Sequence, residues 1–152
     1  MKKSAFENMV EKAFLGLEAR YGFKKTETRY KDRGVIVRFQ NASTELLLNY
    51  EIGNTPWLEI ADVHHTENKS TLGWLLVEKG GEKPPTPEQA FQPTPLKEND
   101  LAGVLQKMVQ QVQKFGGDLL KGDFTSMPKL RERARNYEVE CKHYLSIRKP
   151  KS

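Results

Sequence analysis

Between Phe23 and Val63 apolar residues recur at every second position, and the links between the runs are too short to carry a crossover. Val35, Val37 and Phe39 alternate with Ile36, Arg38 and Gln40. Leu46, Leu48, Tyr50 and Ile52 alternate with Glu45, Leu47, Asn49 and Glu51. Lys31-Asp32-Arg33-Gly34 and Gln40-Asn41-Ala42-Ser43 read as tight turns, and Asn54-Thr55-Pro56 precedes a further run, Trp57 to Val63, in which Leu58 and Ile60 share a face. Side chains on a strand alternate between two faces, and such links join only antiparallel neighbours. The segment therefore predicts a four-stranded antiparallel meander, one face packed and the other partly wet. Its first strand, Lys24 to Tyr30, is polar and suits an edge.

Helical spacing surrounds this sheet. Phe6, Met9, Val10, Ala13, Phe14 and Leu17 fall three and four apart, with Ser4 and Glu7 placed as a capping box and Gly22 as the closing residue. Leu101, Val104, Leu105, Met108, Val112 and Phe115 mark a long helix capped by Asp100, loosened at Gly116-Gly117 and stopped by Gly122. A last helix is expected after Ser126, with Pro128 in its first turn and Leu130, Ala134, Tyr137, Cys141 and Tyr144 or Leu145 inward. Leu72 to Lys79 is read as a short helix capped by Ser70 or Thr71, although Trp74-Leu75-Leu76-Val77 would also suit a buried strand. Five of the eight prolines fall within residues 82–95, which predicts a connecting loop without regular pairing, with Phe91 as the residue to pin it to the body. The order implies one α+β domain over residues 1–147, with the proline-rich loop 82–97 internal to it, helices on one sheet face and a basic tail at 148–152.

Charge narrows the function classes. Of 152 residues, the last 24 carry eight Lys or Arg against three Glu, which accounts for the whole net charge of +5. The remainder holds 17 of each sign. A basic terminus on a neutral body either steers an acidic partner or is a solvated helix end. A single cysteine excludes an internal disulfide, no apolar run approaches a membrane span, and the opening MKKSAFENMVEK carries charge where a signal peptide is apolar. These features predict a cytoplasmic protein with no membrane partner.

Reactive constellations are few. Glu59, Asp62, His64, His65 and Glu67 offer metal-ligating chemistry, but alternation along a strand separates Glu59 from Asp62 and His64 from His65. Cys141 and His143, two apart on a helix, point about 100° × 2 away from one another. Gly80-Gly81 and Gly116-Gly117 lack a phosphate-loop arrangement. The expectation is no catalytic residue, no metal and no cofactor. Two binding readings remain. Trp57 alternates away from Leu58 and Ile60, so either it stands exposed beside Glu59 as a protein-interface anchor, with Asp62 a further partner-binding candidate, or it packs under the proline loop. Arg131 and Arg135 share a helix face and, with Lys142, Arg148, Lys149 and Lys151, supply the nucleic-acid alternative, interrupted by Glu132, Glu138 and Glu140.

Tyr21-Gly22-Phe23 after the first helix, the meander from Val35 to Val63, and Leu119-Leu120-Lys121-Gly122-Asp123-Phe124 after the long helix form a layout. It resembles small bacterial proteins that include the immunity proteins of polymorphic and contact-dependent toxins. The resemblance implies a non-enzymatic cytoplasmic protein that neutralises a partner, such as a cognate toxin, by occlusion. It carries over no functional residues. The basic charge departs from the acidic immunity proteins that face nuclease clefts, so a basic target is not what this chain suits.

Overall fold

The computed structural model describes residues 1–148. The first helix, α1 (Lys3–Tyr21), buries Phe6, Val10, Ala13, Phe14 and Leu17 and ends where Gly22 takes a φ of 73°. The expected capping box does not form: Lys2 occupies the cap position with no side-chain bond. Glu7 instead accepts a 2.9 Å hydrogen bond from the Tyr30 hydroxyl, so its carboxylate ties the helix to the sheet rather than to its own amides.

Five strands follow in simple meander order: β1 (Lys24–Lys31), β2 (Gly34–Gln40), β3 (Thr44–Glu51), β4 (Trp57–Asp62) and β5 (His65–Thr71), all antiparallel. The pairing of Val35 with Tyr50, Val37 with Leu48, Phe39 with Leu46, and then Leu46 with Ile60 and Leu48 with Leu58 lines up one apolar face. Phe14 stacks on Phe39 at 4.3 Å between ring centres, and Phe6 on Tyr50 at 5.5 Å, which seats α1 on that face. Ile52, expected on the same face, lies just past the end of β3 and is exposed.

The fifth strand corrects the expected count of four. The segment HTENKST has no apolar alternation, and only Ser70 is buried, so hydrophobic periodicity carries no trace of it. Its ladder to β4 is made by backbone groups, and Asp62 accepts the His64 amide at 2.9 Å to shape the tight link between the two strands. His64 and His65 thus belong to a hairpin.

The remaining helices are α2 (Leu72–Lys79), α3 (Pro87–Ala90), α4 (Leu101–Phe115), α5 (Gly117–Leu120) and α6 (Met127–Arg148). The helical reading of residues 72–79 is the observed one, with Leu72, Leu75 and Leu76 buried. Thr71 is the capping residue by position, without a side-chain bond. On α4 the buried stripe is Leu101, Leu105, Met108, Val109 and Val112, with Val104 and Phe115 packed at its margin. Asp100 makes no capping bond, because it sits in a 3-10 turn from Glu98 to Asp100 with helical backbone angles.

Two other expectations change. The proline-rich segment is not free of regular structure: α3 forms one turn capped reciprocally by Thr86 and Gln89, and Asn54 bridges Pro95. That bridge uses the amides of Thr55 and Leu96, donors that flank the prolines. On α6 only the start is fully buried, at Met127 and Leu130; Ala134, Tyr137, Cys141 and Tyr144 are half-buried and Leu145 is exposed. This helix runs along β5 and α2 instead of across the apolar sheet face. The expected tail, 148–152, starts at Arg148, the last residue of α6, and its remainder, 149–152, lies outside the described residues. No helix among the described residues is long and apolar enough to cross a membrane.

Candidate functional site

The helices leave the second sheet face open, and its charges are largely settled among themselves. Cross-strand pairing sets Arg38 beside Glu27 on β1 and Leu47 on β3. Arg38 donates to Glu27 at 3.1 Å and to Glu45 at 2.5 Å, while Gln40 donates to the other Glu45 oxygen at 2.7 Å. Burial weighs against the Arg38 charge, yet the two glutamates hold its pKa above the usual value. Glu59 pairs with Lys69 of β5 at 3.7 Å. Ile36 and Ala61, on the same face, are buried.

At one end of this face the pattern breaks. Register places Ile36, Asn49 and Trp57 side by side on β2, β3 and β4, and Trp57 remains 44% exposed. Beside it lies a cleft of about 540 Å³ whose lining includes Lys31, Arg33, Asn49, Asn54, Trp57 and Gln92, with one carboxylate, Glu51, among them. Alternate turns of a meander fall at the same end, which is why the β1–β2 and β3–β4 turns both contribute. The third wall is the proline-rich segment. Its Thr94 carbonyl accepts from the Thr55 amide at 2.8 Å and the Thr55 hydroxyl at 3.1 Å, and Leu96 donates to Gly53 at 2.9 Å. Neither Lys31 nor Arg33 forms an ion pair with a described residue, in contrast to Arg38, Lys69, Lys79, Lys129 and Arg133.

The residues singled out from sequence divide among three places. Trp57 and Glu59 share the open face of β4, two positions apart. Asp62 is committed to the hairpin, accepting from His64 and lying 3.6 Å from His65 Nδ1. Arg131 is half-buried against β5, where it donates to Asn68 at 3.4 Å, and Arg135 is exposed one turn further along α6. Trp57 is exposed and lines the cleft together with Pro93 and Thr94, so the proline-rich segment lies beside it without burying it. Lys31, Arg33, Asn49, Asn54 and Gln92 were not anticipated as a group. The shared end of the two turns was deducible from the meander; the contribution of Gln92 was not.

The basic helix is less available than its composition implies. Glu78 of α2, nearly buried, takes both Lys129 at 2.7 Å and Arg133. Lys129 first and then Arg133 hold its carboxyl below the usual range, against the opposing effect of burial. Lys142 pairs with Glu138 at 3.3 Å. Among the described residues no three His, Cys, Asp or Glu side chains gather as a metal ion would require. Comparison of the chain with known protein families, curated protein sequences and solved structures finds no match.

Proposed function

We propose that this is a non-enzymatic protein-binding module whose Trp57 cleft grips an acidic segment of a partner protein, with the adjoining open sheet face occluding that partner. The observation that carries the reading is the Trp57 end itself: a half-exposed indole beside Lys31 and Arg33, two cations with no ion-pair partner among the described residues, whereas Arg38, Glu27, Glu45, Glu59 and Lys69 on the same face are paired and Arg29 there is not. Aromatic side chains next to Arg are the usual energetic centres of protein interfaces, and unpaired cations steer an acidic partner. The layout resemblance to toxin immunity proteins supports inhibition by occlusion, with an acidic region of the target as the epitope. The test is capture from the organism that encodes the chain. Wild type and an Arg131→Ala/Arg135→Ala variant should retain one protein in common, and a Trp57→Ala/Arg33→Glu variant should lose it. Retention by all three, or by none, overturns the reading.

The nucleic-acid alternative is weakened by the pairing of Lys129, Arg133 and Lys142 with glutamates. It predicts retention of DNA or RNA at low salt that falls steeply as salt rises and disappears in the Arg131→Ala/Arg135→Ala variant.

A further inference from the structure

The proline-rich segment does more than wall the cleft. Before reaching Thr94 it crosses a groove between α2 and α6. There the Trp74 and Tyr137 rings meet edge to face, 5.1 Å apart at 68°. Pro84 lies in this groove with Arg133, Asn136 and Glu140, and a hollow of about 200 Å³ remains beside it. The Tyr137 hydroxyl donates to the Thr86 carbonyl at 3.4 Å. Burial, then the neighbouring Cys141 and Glu140, push the Tyr137 pKa up to about 12, so the phenol keeps its proton and stays a donor at neutral pH. Further along, Phe91 stacks on Tyr144 at 6.2 Å and 10°.

The chemistry of this contact is specific. Thr86 has φ −63° and ψ 156°, close to the polyproline II values, and the local sequence is Pro84-Pro85-Thr86-Pro87. A polyproline II strand makes no internal hydrogen bonds, and here the extended stretch ends at Thr86, the cap of α3, whose carbonyl accepts the Ala90 amide at 2.9 Å as well as the Tyr137 hydroxyl. Aromatic grooves that recognise such strands provide ring faces for the prolines and donors for their carbonyls. Trp74 and Tyr137 supply both. The segment from Gly80 to Pro93 is exposed almost throughout and spans 14 residues between α2 and the Thr94 anchor. At about 3.3 Å per extended residue, that length is about 46 Å of chain.

We infer that the Trp74–Tyr137 groove is a recognition site for proline-rich segments in the polyproline II conformation, occupied in this state by the protein's own residues 84–86. A proline-rich segment of a partner protein takes the same seat when it displaces the internal one. This site is separate from the Trp57 cleft and does not depend on the function proposed for it.

The test uses a synthetic peptide of residues 82–95 titrated into the full chain, read by the indole NH of Trp74 and the side-chain amide of Asn136 in heteronuclear NMR. A Pro84→Ala/Pro85→Ala/Pro87→Ala variant, and a second in which residues 83–90 are replaced by a Gly-Ser linker of equal length, remove the internal ligand by independent routes. Both should bind the peptide at these two resonances at least about tenfold more tightly than wild type, because a tethered ligand competes at a high effective concentration. Adding Tyr137→Phe should weaken that binding, and a scrambled peptide should produce no shift. Silence at Trp74 in whichever emptied variant folds, or equal binding of the scrambled peptide, would overturn the inference. Concentration-dependent dimers of wild type that the peptide fails to dissociate would assign the groove to a second copy and overturn it equally.

Discussion

The hydroxyl of Thr44, fully buried at the start of β3, donates a 2.7 Å hydrogen bond to the carbonyl oxygen of Leu119 in α5. Next to it Asn41 donates to the carbonyls of Tyr21 at 2.9 Å and Leu120 at 3.0 Å, while its own side-chain oxygen accepts the amides of Ser43 and Thr44. These two polar side chains satisfy the carbonyl ends of α1 and α5 where water does not reach freely. Replacing Thr44 with Val keeps the shape but leaves the Leu119 carbonyl with the Gly122 amide at 3.1 Å as its remaining donor, so Thr44→Val should lose about 0.5–1.5 kcal/mol of unfolding free energy. Urea denaturation measures this directly, and Thr44→Ser should recover part of the loss.

Val112 is completely buried on α4 and belongs to the cluster that joins this helix to α1, α2 and the sheet. An aspartate there has no partner, and desolvating an unpaired carboxylate costs more than a domain's usual margin of about 5–15 kcal/mol allows. Val112→Asp should give no cooperative thermal transition by circular dichroism, whereas Val112→Ile should melt cooperatively.

Glu78 links α2 to α6 through Lys129 and Arg133, and its folded-state pKa lies below the ordinary 4.5. A depressed carboxyl pKa means that the unfolded chain takes up the proton first as pH falls. The stabilisation is therefore complete above the unfolded value and is lost as pH drops through the folded one. Stability measured between pH 6 and pH 3 should decline less steeply in Glu78→Gln than in wild type, starting from a lower plateau. Identical acid limbs would show that this carboxylate contributes nothing to the linkage.

Trp57 tests binding apart from folding. Its side chain is partly exposed and lies outside the main apolar cluster, so Trp57→Ala should shift unfolding free energy by less than about 1 kcal/mol. An interface anchor of this type typically supplies at least 2 kcal/mol, so affinity for the captured partner should fall about 30-fold or more by calorimetry. A large loss of stability together with a small loss of affinity would make Trp57 a structural residue.

The elements legible in sequence were those that bury a periodic stripe. α1 and α4 showed their inner faces as residues three and four apart, and β2, β3 and β4 as strict alternation. β5 escaped because an edge strand held by backbone bonds needs no apolar face, and its seven residues are nearly all polar. Half of the candidate site was legible in the same way. Alternation set Trp57 on the open face, and the parity of turns in a meander places Lys31 and Arg33 near Asn54. The other half was not, because prolines state which ladders a segment cannot join and say nothing about where it docks. The amides of Thr55 and Leu96, the Tyr137 hydroxyl and the Phe91 ring decide that.

The two ends of the sheet are fastened by different means. At one, Asn41 and Thr44 knit strands to helix termini through buried polar bonds; at the other, the turns around Gly53 are held by a surface strap. Protection of amides against solvent exchange should therefore grade along the length of β3, high near Thr44 and low near Glu51, instead of varying mainly from one strand to the next. A fluctuation that unzips the sheet from the weak end frees the cleft beside Trp57 for adjustment while the helical layer stays in register, so this fold can reshape its mouth without melting its body.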